Sequence, residues 1–207
     1  MGFIAGLDLG QAQDYSALII VERSQPPRDE TVLGSTRPPA RYAVRHLKRW
    51  DLGTPYPQMV REVTDLLTHP LLAADHKLLV DYTGCGRPVV DLLKQARLRP
   101  VAVSIHGGDR VSQDGMDYRV PKRDLVGVVA VLLQQAPLQI AQSLPETPML
   151  THELLNFKVK IDPSTAHDAY AAWREQDHDD LVLALALACW WGEFRGERRA
   201  GVWPLRY

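Results

Sequence analysis

Four carboxylates stand at the ends of apolar runs, where a folded chain brings distant segments together. Asp8 closes the run FIAGLDL over 3–9, Asp81 closes KLLVD over 77–81, and Asp179 and Asp180 open the run LVLALALACWW over 181–191. Three acids meeting in one dry pocket cannot all stay ionised unaided, because each raises the pKa of the others. A divalent cation removes that conflict, and an all-oxygen donor set suits Mg2+ or Mn2+. Two such ions roughly 3.5–4 Å apart stabilise the attacking and leaving oxygens of an in-line displacement at phosphorus. The expected chemistry is therefore phosphodiester hydrolysis, with one ion activating water, the other holding the leaving 3′ oxygen, and no Cys or His nucleophile. Each acid alone has a plainer reading. Asp is common where strands turn, and Asp179 or Asp180 would serve as an ordinary helix N-cap. Their joint placement favours the metal reading.

The elements that must position these acids can be read from periodicity. Residues 3–9 and 16–22 read as two strands joined by a short turn, hence an antiparallel hairpin. Residues 24–40 carry four prolines and read as a surface loop. Residues 41–50 form a third strand, and 56–69 a helix opened by Pro57, with Met59, Val63, Leu66 and Leu67 on one face. A strand over 77–81, a turn over 82–86, a helix over 87–97 and a strand over 100–105 follow. Residues 106–120 read as a polar, mobile loop, 121–135 as a helix, 149–156 as a helix, 157–161 (FKVKI) as a strand and 181–191 as an apolar helix. Three meandering strands followed by a helical crossover predict a mixed α/β sheet of five or more strands with helices on both faces. A right-handed crossover sets the fourth strand beside the first, so that Asp8 and Asp81 face each other at neighbouring strand ends.

Basic residues offer a second layer of candidates. Arg37, Arg41, Arg45, Lys48 and Arg49 fall within 13 residues that hold no acid. By strand period, Arg41, Arg45 and Arg49 share one face as a phosphate track, with Lys48 on the other. The plainer reading is a charged edge strand that resists edge-to-edge pairing. Lys122 starts a helix and can reach a phosphate, and Lys158 and Lys160 alternate along FKVKI. Asp14 follows the first turn and reads as a turn cap or a further acid near the metals. His106, Asp109, Asp114 and Asp117 match no standard metal-loop spacing. Trp190 and Trp191 extend an apolar helix and read as core, while Trp203 lies in a basic, aromatic tail.

Composition bounds the rest. The chain has 207 residues, 45% apolar and 24% charged, which predicts one globular domain over 1–207. A net charge of −1 excludes a polycation that coats nucleic acid indiscriminately, so contact must come from a local patch. Two cysteines, Cys85 and Cys189, make neither a zinc cluster nor a disulfide framework and fit a reducing compartment. The N-terminus lacks the pattern of a signal peptide, and the longest apolar run, 11 residues over 181–191, is too short for a span of roughly 20. A cytoplasmic protein with no membrane partner is expected.

The segments GLDLGQAQDYSALIIVE (6–22), LLVDYTGCGRPVVDLL (78–93), VPKRDLVGVVAVLL (120–133), THELLNFKVKI (151–161) and DHDDLVLALALACWW (177–191) resemble the nuclease domain of phage large terminase subunits, within the ribonuclease H-like superfamily. The resemblance implies a ribonuclease H-like fold and a metal-dependent endonuclease that cuts concatemeric double-stranded DNA during genome packaging in the bacterial host. It implies Asp8, Asp81 and Asp180 as ligands of two Mg2+ or Mn2+ ions, Asp179 as an additional ligand or a cap, and His178 as a neighbour. It sets the segment carrying Lys158 and Lys160 near the active site, where those lysines would hold DNA backbone. The phosphate-loop motif G-x-x-x-x-G-K-[ST] of a packaging ATPase does not occur. An ATPase, a small terminase subunit or a portal would then be a separate partner. Three other readings stay open: a junction resolvase or ribonuclease H on the same scaffold, a non-catalytic packaging module, and a nucleotide-binding ATPase whose first phosphate loop resembles Gly6-Leu7-Asp8-Leu9-Gly10. The last normally needs a much longer chain.

Overall fold

The computed structural model describes residues 2–10, 14–27, 38–84, 86–135, 137–160 and 179–200, with the side chains of 158–160 and 196–200 left aside. Cys85, His178, Trp203 and most of the 24–40 loop lie outside the described residues. Along the chain run β1 (Gly2–Asp8), β2 (Ser16–Ser24), β3 (Arg41–Trp50), α1 (Tyr56–Leu67), α2 (Pro70–Ala73), β4 (His76–Asp81), α3 (Gly86–Gln95) and β5 (Pro100–His106). There follow β6 (Ser112–Asp114), β7 (Asp117–Pro121), α4 (Lys122–Gln134), β8 (Leu138–Ile140), α5 (Thr147–Lys160) and α6 (Asp180–Ala200). The strands form one mixed sheet of eight in the order β6-β7-β5-β4-β1-β2-β3-β8. β1 pairs antiparallel with β2 and parallel with β4, as the hairpin and the crossover require.

Alternation along the strands divides the core in two. On one face Ala5, Leu7, Leu18, Ile20, Leu78 and Val80 pack against α1, α2 and α3. On the other, Ile4, Ala17, Ile19, Leu79 and Val103 pack against α4, α5 and α6. From Leu181 to Trp191, α6 is buried on nearly every side, with Leu183 alone partly exposed. A helix apolar all round needs partners all round; here the sheet, α4 and α5 supply them. Trp190 and Trp191 belong to this core, edge-on to Tyr118 at 5.8 and 5.6 Å between ring centroids. Among the described residues no helix is long and apolar enough to cross a membrane.

Several elements depart from the sequence reading. The expected loop over 106–120 closes as a hairpin, β6–β7, whose turn uses Gly115 at φ +58. Its Tyr118 and Val120 are buried, a two-residue signal that polar neighbours mask. Of the expected strand FKVKI, residues 157–160 instead continue α5, because Leu150, Leu154 and Phe157 at helical spacing face the core beneath α6 and packing overrides β propensity, while Ile161 lies outside the described residues. β8 is three residues long, too short to show a period.

The shared face expected for Arg41, Arg45 and Arg49 does not exist. A bulge shifts the β2–β3 register between Ile20↔His46 and Val21↔Val44, leaving Arg45 as the extra residue. The pairing Ser24↔Arg41 puts Arg41 on the α1 face, with Ile20 and Leu18, whereas Ala17↔Arg49 puts Arg49 on the α6 face. Arg45 bonds Glu22 at 2.7 Å.

Candidate functional site

Strand parity aims the first two acids. Ile4, Gly6 and Asp8 alternate onto the α6 face of β1, as Leu79 and Asp81 do on β4. The parallel register Leu7↔Val80 makes Asp8 and Asp81 neighbours across a strand gap of about 4.8 Å. Asp8 also pairs with Ala17, and Ala17 with Arg49, so Asp81, Asp8, Ala17 and Arg49 form one row across the C-terminal ends of β1 and β4. Beyond Asp81 the chain turns sharply. One oxygen of Asp81, Oδ1, accepts from the Thr83 amide at 2.8 Å, and Gly84 takes φ +78. A Cβ at Gly86 would stand 2.7 Å from the Asp81 carbonyl oxygen, so only glycine lets α3 start this close to the strand end.

Helix α6 delivers the third acid. A Cβ on Gly6 would fall 1.9 Å from the Ala184 carbonyl oxygen, so α6 lies directly on β1 at a point only glycine allows. From Ala184 back to Asp180 is one turn, about 6 Å, and from Gly6 forward to Asp8 is two strand residues, about 6.6 Å. The helix thus sets Asp180 over Asp8. Both are buried, at 5% and 7% exposure.

The electrostatics register the convergence. Burial first, then the charges of Asp81, Asp180 and Asp179, pushes the Asp8 carboxyl well above its ordinary range, with Lys122 opposing. Asp180 is pushed up to about 7, chiefly by burial, with Asp179 and Asp14 adding and Arg49 opposing. Its Oδ2 is buried and finds no hydrogen-bond partner among the described residues. Lys122, at the start of α4, lies 3.9 Å from Asp179 Oδ2. Four acids and one lysine from four segments therefore share one field.

Sequence reasoning missed Glu153 and misplaced Arg49. Glu153 of α5 is buried, and its Oε2 accepts from the Leu181 and Val182 amides at 3.0 and 3.2 Å. Arg49 Nη1 lies 3.6 Å from Glu153 Oε1 and its guanidinium covers the Tyr15 ring at 4.1 Å. Burial raises the Glu153 carboxyl to about 8, against the α6 amides and Arg49. A signal was present: Glu153 falls within the stripe of Leu150, Leu154 and Phe157, where a charged residue is out of place. The lysines of the same segment are Lys158 and Lys160; α5 carries them, and their side chains lie outside the described residues.

The donor set fits a hard divalent cation: carboxylates only, with one buried oxygen lacking a hydrogen-bond partner among the described residues. It is not a closed cage. Among the described residues no three His, Cys, Asp or Glu side chains stand close enough to grip one ion, so the carboxylates must draw together to do so. The raised carboxyls predict a sign for the metal-free protein. A carboxyl whose folded pKa exceeds its unfolded value binds protons in the folded state, and its stabilising effect is lost as pH rises through the folded value. In EDTA, the melting temperature is expected to fall between pH 5.5 and pH 8.5, across the values of about 7 and 8 for Asp180 and Glu153. A flat or rising profile would contradict the burial of these acids.

In sequence the chain matches no family model and no curated protein. In structure it is similar to the large terminase nuclease from the thermophilic phage G20c, with a TM-score of 0.51 and 16% identity over 90% of this chain and 80% of that one. The large terminase of another thermophilic bacteriophage gives 0.54 at 12% identity, over 91% of this chain and 39% of that longer one. The human cytomegalovirus terminase nuclease domain, soaked with Mn, gives 0.51 at 11% identity, over 91% of this chain and 83% of that one. Likenesses at such low identity speak to architecture, and the architecture here is the ribonuclease H-like α/β fold that terminase nuclease domains share.

Proposed function

We propose that the chain is a divalent-metal-dependent endonuclease that hydrolyses the backbone of double-stranded DNA, in the manner of a terminase nuclease in genome packaging. The observation that carries the reading is the convergence on Asp8 of three further carboxylates from β4 and the start of α6. The fold shared with terminase nucleases adds support. Asp8, Asp81 and Asp180, with Asp179 beside them, would hold Mg2+ or Mn2+. Bound there, such ions supply a water of lowered pKa and stabilise charge at the scissile phosphate. The protein's own part is positional. β1 and β4 fix two donors side by side, α6 lowers a third onto them, and burial keeps bulk water from competing for the oxygens. Lys122 is near enough to the acids to meet a backbone phosphate. Arg41 and Arg45 would meet DNA away from this row of acids, and Lys158 and Lys160 from the end of α5. In packaging, the chain would work with an ATPase, a small terminase subunit and a portal.

The test is cleavage, with Mn2+, of supercoiled plasmid, a four-way junction and an RNA–DNA hybrid. Nicking and linearisation of plasmid are expected, with affinity falling steeply with salt as phosphate contacts are screened. Preference for the junction or the hybrid would instead assign a resolvase or ribonuclease H activity to the same acids. No cleavage of any substrate would leave a non-catalytic packaging module.

A further inference from the structure

The first turn of α6 carries the acid that must stand over Asp8, yet the group accepting its amides comes from another helix. The Asp179 carbonyl accepts from Leu183 N at 2.9 Å, which makes Asp179 the residue at the helix start and Asp180 the first inside it. At that position the amides two and three residues on usually go to a Ser, Thr or Asp at the cap itself. Here Leu181 N and Val182 N both donate to Glu153 Oε2, 28 and 29 residues away in sequence. The other Glu153 oxygen, Oε1, is buried without a hydrogen bond among the described residues, at 3.6 Å from Arg49 Nη1, beyond hydrogen-bond range. A buried carboxylate with one orphaned oxygen is costly and calls for a reason. Arg49 is itself fixed, its amide donating to Glu146 Oε2 at 2.7 Å and its guanidinium lying on Tyr15.

We infer that Glu153, held from behind by Arg49, is a positioning residue for the nuclease: it clamps the first turn of α6 from α5 and so fixes where the Asp179–Asp180 pair stands above Asp8. The clamp frees the helix start from capping itself with the residues that face the other acids. It also explains why a buried glutamate is kept in the apolar stripe of α5. Arg49 works here through Glu153, not as part of a phosphate track. The inference rests on the metal-dependent nuclease reading.

The test compares the wild-type chain with Glu153→Ala and Glu153→Gln. The glutamine amide oxygen still accepts from both amides, so Gln keeps the clamp and Ala removes it. In Glu153→Ala, kcat for plasmid nicking is expected to fall about 10-fold or more, the range for a supporting residue behind a metal ligand, with KM for DNA within about twofold on the same grounds. Calorimetry on the same protein without DNA should show Mn2+ affinity reduced by a similar factor, and amide exchange over 181–183 should quicken. Glu153→Gln should stay within about threefold of wild type in all three readouts, since it retains the capping bonds. An alanine variant with wild-type kcat and Mn2+ affinity would overturn the inference, and so would a glutamine variant that loses as much as alanine. If the alanine variant does not fold, Glu153→Asp replaces it: one methylene too short to reach both amides, it should show the same losses, and wild-type behaviour would overturn the inference. If wild type binds Mn2+ but cuts nothing, the nuclease reading fails alone, and Mn2+ affinity and amide exchange still decide the role of Glu153.

Discussion

Asp8→Asn is expected to abolish cleavage while making the metal-free protein more stable at pH 8. Asn preserves shape and keeps one neutral oxygen, so packing at the end of β1 is undisturbed. What is lost is the charge at the centre of the cluster, where Asp81, Asp180 and Asp179 all act on Asp8. Removing a metal ligand should cost at least as much as removing a residue that supports one, so a loss of about 100-fold or more in kcat is expected. Stability moves the other way. The Asp8 carboxyl is raised in the folded state, so the stability its protonation lends is lost as pH rises above the unfolded carboxyl range. The variant should therefore melt higher than wild type in EDTA at pH 8, draw steadily closer to it as pH falls toward the unfolded carboxyl range, and gain less from added Mn2+. Paired melting and nicking curves check both halves. Wild-type nicking by Asp8→Asn would remove Asp8 from the site, and a lower melting temperature at pH 8 would mean that its charge is compensated in the metal-free fold.

Gly6→Ala carries the second large effect, through backbone rather than charge. The added Cβ would sit 1.9 Å from Ala184 O and 3.2 Å from Ala188 N, both backbone atoms of α6 with no rotamer to turn away. Either β1 or α6 must shift by more than an ångström in a core where Ala184, Leu185 and Ala188 are fully buried. Overpacking of this kind costs about 1–3 kcal/mol and occasionally more, and with backbone on both sides the upper end is expected. Urea unfolding should show a loss of about 3 kcal/mol. Where the variant still folds, nicking should fall by a larger factor than the folded fraction, because lifting α6 also lifts Asp180 from Asp8. A substitution that leaves both stability and nicking unchanged would mean that α6 does not lie on β1 at Gly6.

How much of this could be read from sequence follows from the range of each signal. The strands ending in Asp8 and Asp81 are legible because a short apolar run closed by an acid needs only local pattern, and the crossover rule sets them side by side. The apolar helix after Asp180 is legible for the same reason, although the structure extends it to Ala200. The face of Arg49 is not legible, because one bulged residue, Arg45, reverses strand parity without any mark in composition. Glu153 escapes notice because FKVKI carries β-branched and aromatic residues, so α5 looks shorter than it is, and because its partners lie 28 and 29 residues away. The hairpin around Gly115 hides within polar residues that look like loop. Elements set by local periodicity emerge; those set by tertiary contact do not.

The most direct test of the central claim is anomalous diffraction from crystals soaked in Mn2+ at pH 8. The account predicts manganese peaks among the carboxylates of Asp8, Asp81 and Asp180, absent or weakened in Asp8→Asn crystals treated alike. Peaks that occur only elsewhere on the protein, or a wild-type site that stays empty at saturating Mn2+, would contradict it.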